Sequence, residues 1–319
     1  MRKLPALLVA CSVAALMTGC AAGTARTAQC EYPSGDASDV VSATGAIGKQ
    51  PEVTFPTPIV TDTTQASIIE PGSGAQLTTG QPARVEVSIY NGRSGDLLQA
   101  TSYGAGESII LTAGDSEIAS VSKALTCASV GSRIAITASA ADSHNSAPAP
   151  QLGVTETDPF IFVVDVLDAY LPRATGKTEL PRSGNPSVVH APNGAPGITV
   201  PRSGQGAADA PTELVSTPLI TGDGATLAAG DQAVLHYTGV VWDTNDVFDS
   251  SWEAGDPRVF DLTEGSLIPG FLNGLVGQKV GSQVLLVIPP ALAYGDTPSA
   301  GIPASSTLVF VVDILGTVN

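Results

Sequence analysis

The feature that most constrains this chain is that it carries one pattern twice. Gly72-Ser73-Gly74-Ala75 returns 150 positions later as Gly222-Asp223-Gly224-Ala225, and the same offset aligns Leu77 with Leu227, Gly80 with Gly230 and Ala83 with Ala233. It holds through Ile118 and Ile268, Leu125 and Leu275, and Val130-Gly131-Ser132 and Val280-Gly281-Ser282. Near the ends it shortens to 148, where Phe162-Val163-Val164-Asp165-Val166-Leu167 matches Phe310-Val311-Val312-Asp313-Ile314-Leu315. The lead-ins agree as well: Pro51, Thr54 and Pro56 echo Pro196, Thr199 and Pro201. Self-similarity at so constant an offset means duplication, and two copies at this spacing mean tandem domains rather than a solenoid.

Each copy reads as mostly strand. In the second, 233–237, 258–261, 280–288 and 307–315 carry β-branched and aromatic residues between Gly, Pro and Asp punctuation. The last two are near-continuous apolar runs, as expected of strands packed against a helix. One such helix is indicated in 266–277. Pro269 suits the first helical position. Leu267, Ile268, Phe271, Leu272 and Leu275 fall on one face, and Gly277 supplies a stop. At about two turns it cannot stand alone in water, and Gly270 and Gly274 weaken it further. The fold class expected is α+β: two tandem domains, each a curved antiparallel sheet around one short helix.

The N-terminus carries export signals. Arg2 and Lys3 precede an apolar run from Leu4 to Leu16, too short to span a bilayer. It ends in Met17-Thr18-Gly19-Cys20, which looks like a bacterial lipoprotein signal with Cys20 lipidated; a plain secretory signal is the alternative. Cys30 and Cys127 remain, and in an exported chain they suggest one disulfide, with two free thiols as the other reading. The expected organisation is a signal peptide at 1–19, a lipid-anchored tether at 20–47, a first domain at 48–171, a linker at 172–193 and a second domain at 194–319 with its core at 213–319. The expected location is the extracytoplasmic face of the cell membrane. A formal charge of −16 argues against nucleic acid as a partner. The three histidines, His144, His190 and His236, are scattered and show no metal-ligand spacing, so no metal or cofactor is expected.

In the second copy five motifs occur in order: His236-Tyr237-Thr238-Gly239, Val247-Phe248-Asp249-Ser250-Ser251, Leu267-Ile268-Pro269-Gly270-Phe271, Ala293-Tyr294-Gly295 and Thr307-Leu308-Val309-Phe310. With this order and spacing the segment resembles an FKBP-type peptidyl-prolyl cis–trans isomerase. The resemblance implies a proline pocket between sheet and helix, lined by Tyr237, Phe248, Asp249, Phe260, Leu267, Ile268, Phe271, Tyr294, Ile302 and Phe310. It implies that the N–H of Ile268 and the hydroxyl of Tyr294 bind substrate carbonyls, and that Asp249 sits beside the twisting amide, bonded to Tyr237. Arg258 stands where the family often has an aromatic wall, and Ala254 where a basic residue often partners the aspartate.

The implied activity is X–Pro isomerisation on proline-containing segments of exported proteins, with macrolides as possible ligands, by a chain expected to be a monomer. The alternative is a binding-only chaperone or interaction module, or a purely structural surface protein. In the first copy Val87, Leu98, Gln99 and Val121 face Tyr237, Phe248, Asp249 and Phe271. That copy is therefore expected to be a non-catalytic FKBP-like domain that binds clients or spaces the active domain from the membrane.

Overall fold

The computed structural model describes residues 32–104, 108–116, 118–204, 206–299 and 301–318. Cys20 and Cys30 lie outside them, and with them the expected signal, its lipidation and one half of the expected disulfide. Cys127 is disulfide-bonded. No helix among the described residues is long and apolar enough to cross a membrane.

The molecule is sheet-rich. The first main sheet uses β1 (Gln65–Glu70), β2 (Pro82–Asn91), β3 (Leu97–Ala100), β4 (Ile109–Thr112), β5 (Arg133–Ala138) and β6 (Phe160–Ala169), with helix α1 at Ala119–Leu125. The second uses β7 (Val215–Thr221), β8 (Gln232–Val241), β9 (Val247–Ser250), β10 (Arg258–Asp261), β11 (Gln283–Ile288) and β12 (Leu308–Val318), with helices α2 (Ser251–Ala254) and α3 (Pro269–Leu275). The first sheet runs β1-β5-β6-β2-β3, with β4 also on β2; the second runs β7-β11-β12-β8-β9, with β10 also on β8. The order of corresponding strands is the same, and every pairing is antiparallel. The irregularities repeat too. Register shifts at 68/70, 84/85 and 89/90 recur at 218/220, 234/235 and 239/240, each 150 positions on. A shared shift pattern is a finer mark than shared order, because a bulge re-aims every residue after it.

The apolar runs in β11 and β12 follow from cover on both faces. Val284, Leu286, Ile288, Phe310 and Val312 point into one core with Phe271, Leu272 and Leu275 of α3. Leu285, Val287, Val309 and Val311 point the other way, onto Ile198, Val200 and Trp242. Gly270 and Gly274 explain how α3 lies so near β11. A Cβ on Gly270 would come within 2.3 Å of Ile288 Cγ2, and one on Gly274 within 2.5 Å of Leu286 Cδ2. The glycines that cost the helix its own stability let it approach the strand. Gly277 follows the helix at φ +90°, a left-handed conformation in which a side chain would be strained.

Here the structure departs from the expected boundaries. Residues 36–47, assigned to the flexible tether, are folded. A four-residue helix, Asp36–Asp39, leads into strand Ser42–Thr44, which pairs with Glu52–Thr54. Val41 and Ala43 bury themselves against Ala135, Ile161 and Val163 on the outer face of the first sheet. The expected linker is likewise structured. Lys177–Thr178 extends the second sheet beyond β7, and Ser187–His190 pairs with Pro196–Thr199. Each sheet has a second apolar face, and each half covers it with the hairpin that precedes its sheet.

Buried polar groups tie the segments before each sheet down, and in the second half His190 Nε2 on the hairpin lies 2.9 Å from Gln283 Oε1. In the first half Arg133 Nε and Asp165 Oδ1 pair at 2.6 Å with both side chains fully buried. Arg133 also donates to the carbonyls of Gly45 (2.9 Å) and Ala46 (3.2 Å), and the Gly48 N–H donates to Asp165 at 2.8 Å. Burial works against the Arg133 charge, but the hydrogen bond and charge of Asp165 outweigh it and raise its pKa. In the second half Gln283 and Asp313 hold the matching places. Gln283 Nε2 donates to Asp313 Oδ1 at 2.6 Å, and the Ala174 N–H donates to Asp313 Oδ2 at 2.8 Å.

Candidate active site

The site grows from the crossing of β8, β9, β10 and β12 over the N-terminal end of α3. Gly239 on β8 lies opposite both Asp249 on β9 and Phe310 on β12. It has no side chain because there is no room for one: a Cβ would come within 2.5 Å of Phe248 and 2.9 Å of Phe310. Those two rings meet edge to face at 5.4 Å. Phe271, on the first turn of α3, sits 5.1 Å from Phe310 and 5.7 Å from Phe260. Tyr237 meets Phe260 at 5.5 Å. Edge-to-face contact lets the rings wall a space without collapsing into it.

The space is a cleft of about 510 Å³. Tyr237, Phe248, Asp249 and Phe260 line it, together with Leu267, Ile268, Phe271, Tyr294 and Phe310. The structure thus brings nine of the ten residues implied by the resemblance to one place. Ile302 is the exception. It is buried in the core cluster that also holds Tyr237, Phe271 and Phe310, and it is not among the residues that line the cleft. Gly265, Ser266 and Pro269 line the cleft without having been singled out for the pocket; they belong to the stretch that leads into α3. Gly239 was also missed as a shaping residue, although it closes one of the five motifs.

The polar equipment is sparse. The Tyr237 hydroxyl donates to Asp249 Oδ2 at 2.5 Å. Burial, and then the hydrogen bond and charge of Asp249, push the tyrosine pKa well above its usual value, with Arg258 opposing. Tyr237 therefore stays a donor at any physiological pH, and the carboxylate accepts. Tyr294 stands at the rim, 41% exposed. Ala254 ends α2 and carries no charge. No group of three or more His, Cys, Asp or Glu among the described residues is placed to hold a metal. The arrangement suits reversible binding of a compact apolar group, with a few directional hydrogen bonds at its edge.

His236 neighbours the cleft on β8 but faces away from it. It stacks on Trp252 at 4.0 Å, and its Nδ1 lies 2.9 Å from the Ser251 hydroxyl. Burial lowers its pKa from 6.5 to about 4. Between those values the unfolded chain binds one more proton here, so stability is full above pH 6.5 and falls towards pH 4. The complete loss is worth about 3 kcal/mol. Denaturant titrations across that range are expected to show this slope in the wild type and not in His236→Phe. Equal slopes would refute it.

The corresponding positions of the first half differ. Ile89 stands where Gly239 does, opposite Gln99 in the same register, and packs on the core that holds Val87 and Val121.

The profile of the family described as FKBP-type peptidyl-prolyl cis-trans isomerase matches residues 224–315. The chain is 41% identical over 106 residues to a probable FK506-binding protein of Corynebacterium glutamicum, covering 33% of this chain and 88% of that protein. It is 40% identical over 107 residues to an FK506-binding protein of Streptomyces anulatus, covering 33% of this chain and 86% of that one. Among solved structures, FkpA from Escherichia coli aligns over 43% of this chain and 52% of its own, at 33% identity and a TM-score of 0.32.

Proposed function

The chain belongs to the FKBP-type peptidyl-prolyl cis–trans isomerase family, and from that premise we propose that its cleft eases rotation about X–Pro bonds by non-covalent means. The observation that carries this reading is the convergence of Tyr237, Asp249, Phe271 and Phe310 on one apolar cleft. Rotation breaks no bond, so no nucleophile is needed. The obstacle is amide resonance, a barrier of about 18–20 kcal/mol, and each tenfold gain in rate takes only about 1.4 kcal/mol. The planar amide is more charge-separated than the twisted one, so an apolar enclosure raises the ground state relative to the transition state. Donors at the rim add differential binding. In this reading the Ile268 N–H and the Tyr294 hydroxyl hold substrate carbonyls, and Asp249, oriented by Tyr237, sits beside the turning bond. Phe248, Phe260, Leu267, Phe271 and Phe310 grip the proline ring.

The same reading takes both halves as FKBP-like domains, each a curved sheet around a short helix, with only the second catalytic. Three register shifts repeated at one offset support it. Exported proteins are the proposed clients, with a Cys20 lipid holding a monomeric chain at the outer face of the membrane and a Cys30–Cys127 disulfide fastening the N-terminal segment. Isomerisation of a proline tetrapeptide tests the activity. The full chain is expected to turn it over, with Asp249→Ala slower by about tenfold or more and Tyr294→Phe by about two- to fivefold. Binding without turnover in every form would favour an interaction module instead.

A further inference from the structure

Strand β4 faces two ways. Ile109 and Leu111 pack into the first core. Ile110 points outward and joins Val234, Leu315 and Tyr170 in a small separate cluster that draws on both halves. Thr112, next on the outward face, is buried and reaches the second half through two hydrogen bonds. Its N–H donates to Asp256 Oδ1 at 2.7 Å and its hydroxyl donates to the Gly255 carbonyl at 3.1 Å. The Ser116 hydroxyl donates to the other carboxylate oxygen, Asp256 Oδ2, at 2.8 Å. Both oxygens of one side chain are thus engaged by the other half of the chain.

The place of that contact is what matters. Gly255-Asp256-Pro257 is the turn between α2 and β10. On its N-terminal side the chain comes from Asp249 on β9; on its C-terminal side it enters the strand that carries Phe260. Both residues line the cleft, and both touch Tyr237. Strand β10 is only four residues long, and among the described residues it pairs with β8 alone. A short arm with one neighbour is readily displaced, and its entry is fixed here by three hydrogen bonds, two of them to a carboxylate.

We propose that the first half is a positioning element for the second: Thr112 and Ser116, through Asp256, hold the β10 wall at the spacing that substrate requires. The duplicated half that lacks pocket chemistry would then serve the reaction without touching substrate, and the strand it uses, β4, is its own counterpart of β10. This rests on the isomerase reading of the cleft. It goes beyond that reading in assigning Asp256, Thr112 and Ser116 a part in turnover.

The test uses the full chain with Asp256→Ala, Ser116→Ala, the double variant and Asp256→Asn. Two readouts are taken: kcat/KM on a proline tetrapeptide, and hydrogen exchange of the backbone amides of β10. Asp256→Ala is expected to lower kcat/KM by about three- to tenfold. Ser116→Ala should lower it by about twofold, and should add nothing in the Asp256→Ala background. Asp256→Asn, which can still accept from Thr112, should recover most of the loss. Exchange should rise in 258–261 and stay unchanged in β11. An Asp256→Ala chain whose β10 amides exchange as in the wild type overturns the proposal, whether or not the chain is an isomerase. So does faster exchange with unchanged kcat/KM. A wild-type chain without activity sinks the isomerase reading and leaves the exchange result to decide the anchoring.

Discussion

Arg133→Ala is expected to cost the chain about 3–5 kcal/mol, because it leaves Asp165 charged and buried with its main partner gone. The variant also strips the carbonyls of Gly45 and Ala46 of their donor. The second half indicates how the loss can be moderated. Gln283 occupies the position of Arg133 and satisfies Asp313 with an amide, so Arg133→Gln should lose clearly less than Arg133→Ala. Urea unfolding followed by far-UV circular dichroism measures the loss. Both tryptophans, Trp242 and Trp252, lie in the second half, so their fluorescence reports whether that half unfolds at the same midpoint. Loss of less than about 1 kcal/mol in Arg133→Ala would mean that the pair contributes no more than an exposed one.

Gly270→Val is expected to be costly for the opposite reason. Nothing is removed; a branched side chain is forced into 2.3 Å of separation from Ile288. Either α3 lifts off β11 or Ile288 moves, and overpacking of this kind costs about 1–3 kcal/mol. Added to that, the shift displaces Ile268 and Phe271, which flank residue 270 and line the cleft. Activity should therefore fall further than stability. Gly270→Ala separates the two contributions, since alanine gains about 1 kcal/mol of helix propensity while its Cβ meets the same methyl. A Gly270→Val chain as stable and active as wild type would show that the helix has slack that the close approach denies.

The second half was the more legible part of the sequence. Its helix announced itself through Pro269 and the spacing of Leu272 and Leu275, and its cleft through five short motifs in order. The cover over each outer face was not legible. Residues 36–47 mix small polar residues with Ala, Val and Ile at no regular period, so Val41 and Ala43 do not stand out from a tether. They are buried because β5 and β6 present Ala135, Ile161 and Val163 on a face that needs closing. That need is visible only once both faces of the sheet are known. The Arg133–Asp165 pair is hidden for a related reason: 32 residues separate its members, and each alone reads as a surface charge. The contact of Thr112 and Ser116 with Asp256 joins residues about 140 apart, beyond any local signal.

The most direct test of the whole account is the rate of cis–trans exchange in a proline tetrapeptide with the full chain present, the wild type beside Asp249→Ala. Catalysis well above the uncatalysed rate, cut by about tenfold or more in the variant, is the expected result. No acceleration, or acceleration that the variant keeps undiminished, would contradict the assignment of turnover to the space between Asp249, Phe271 and Tyr294.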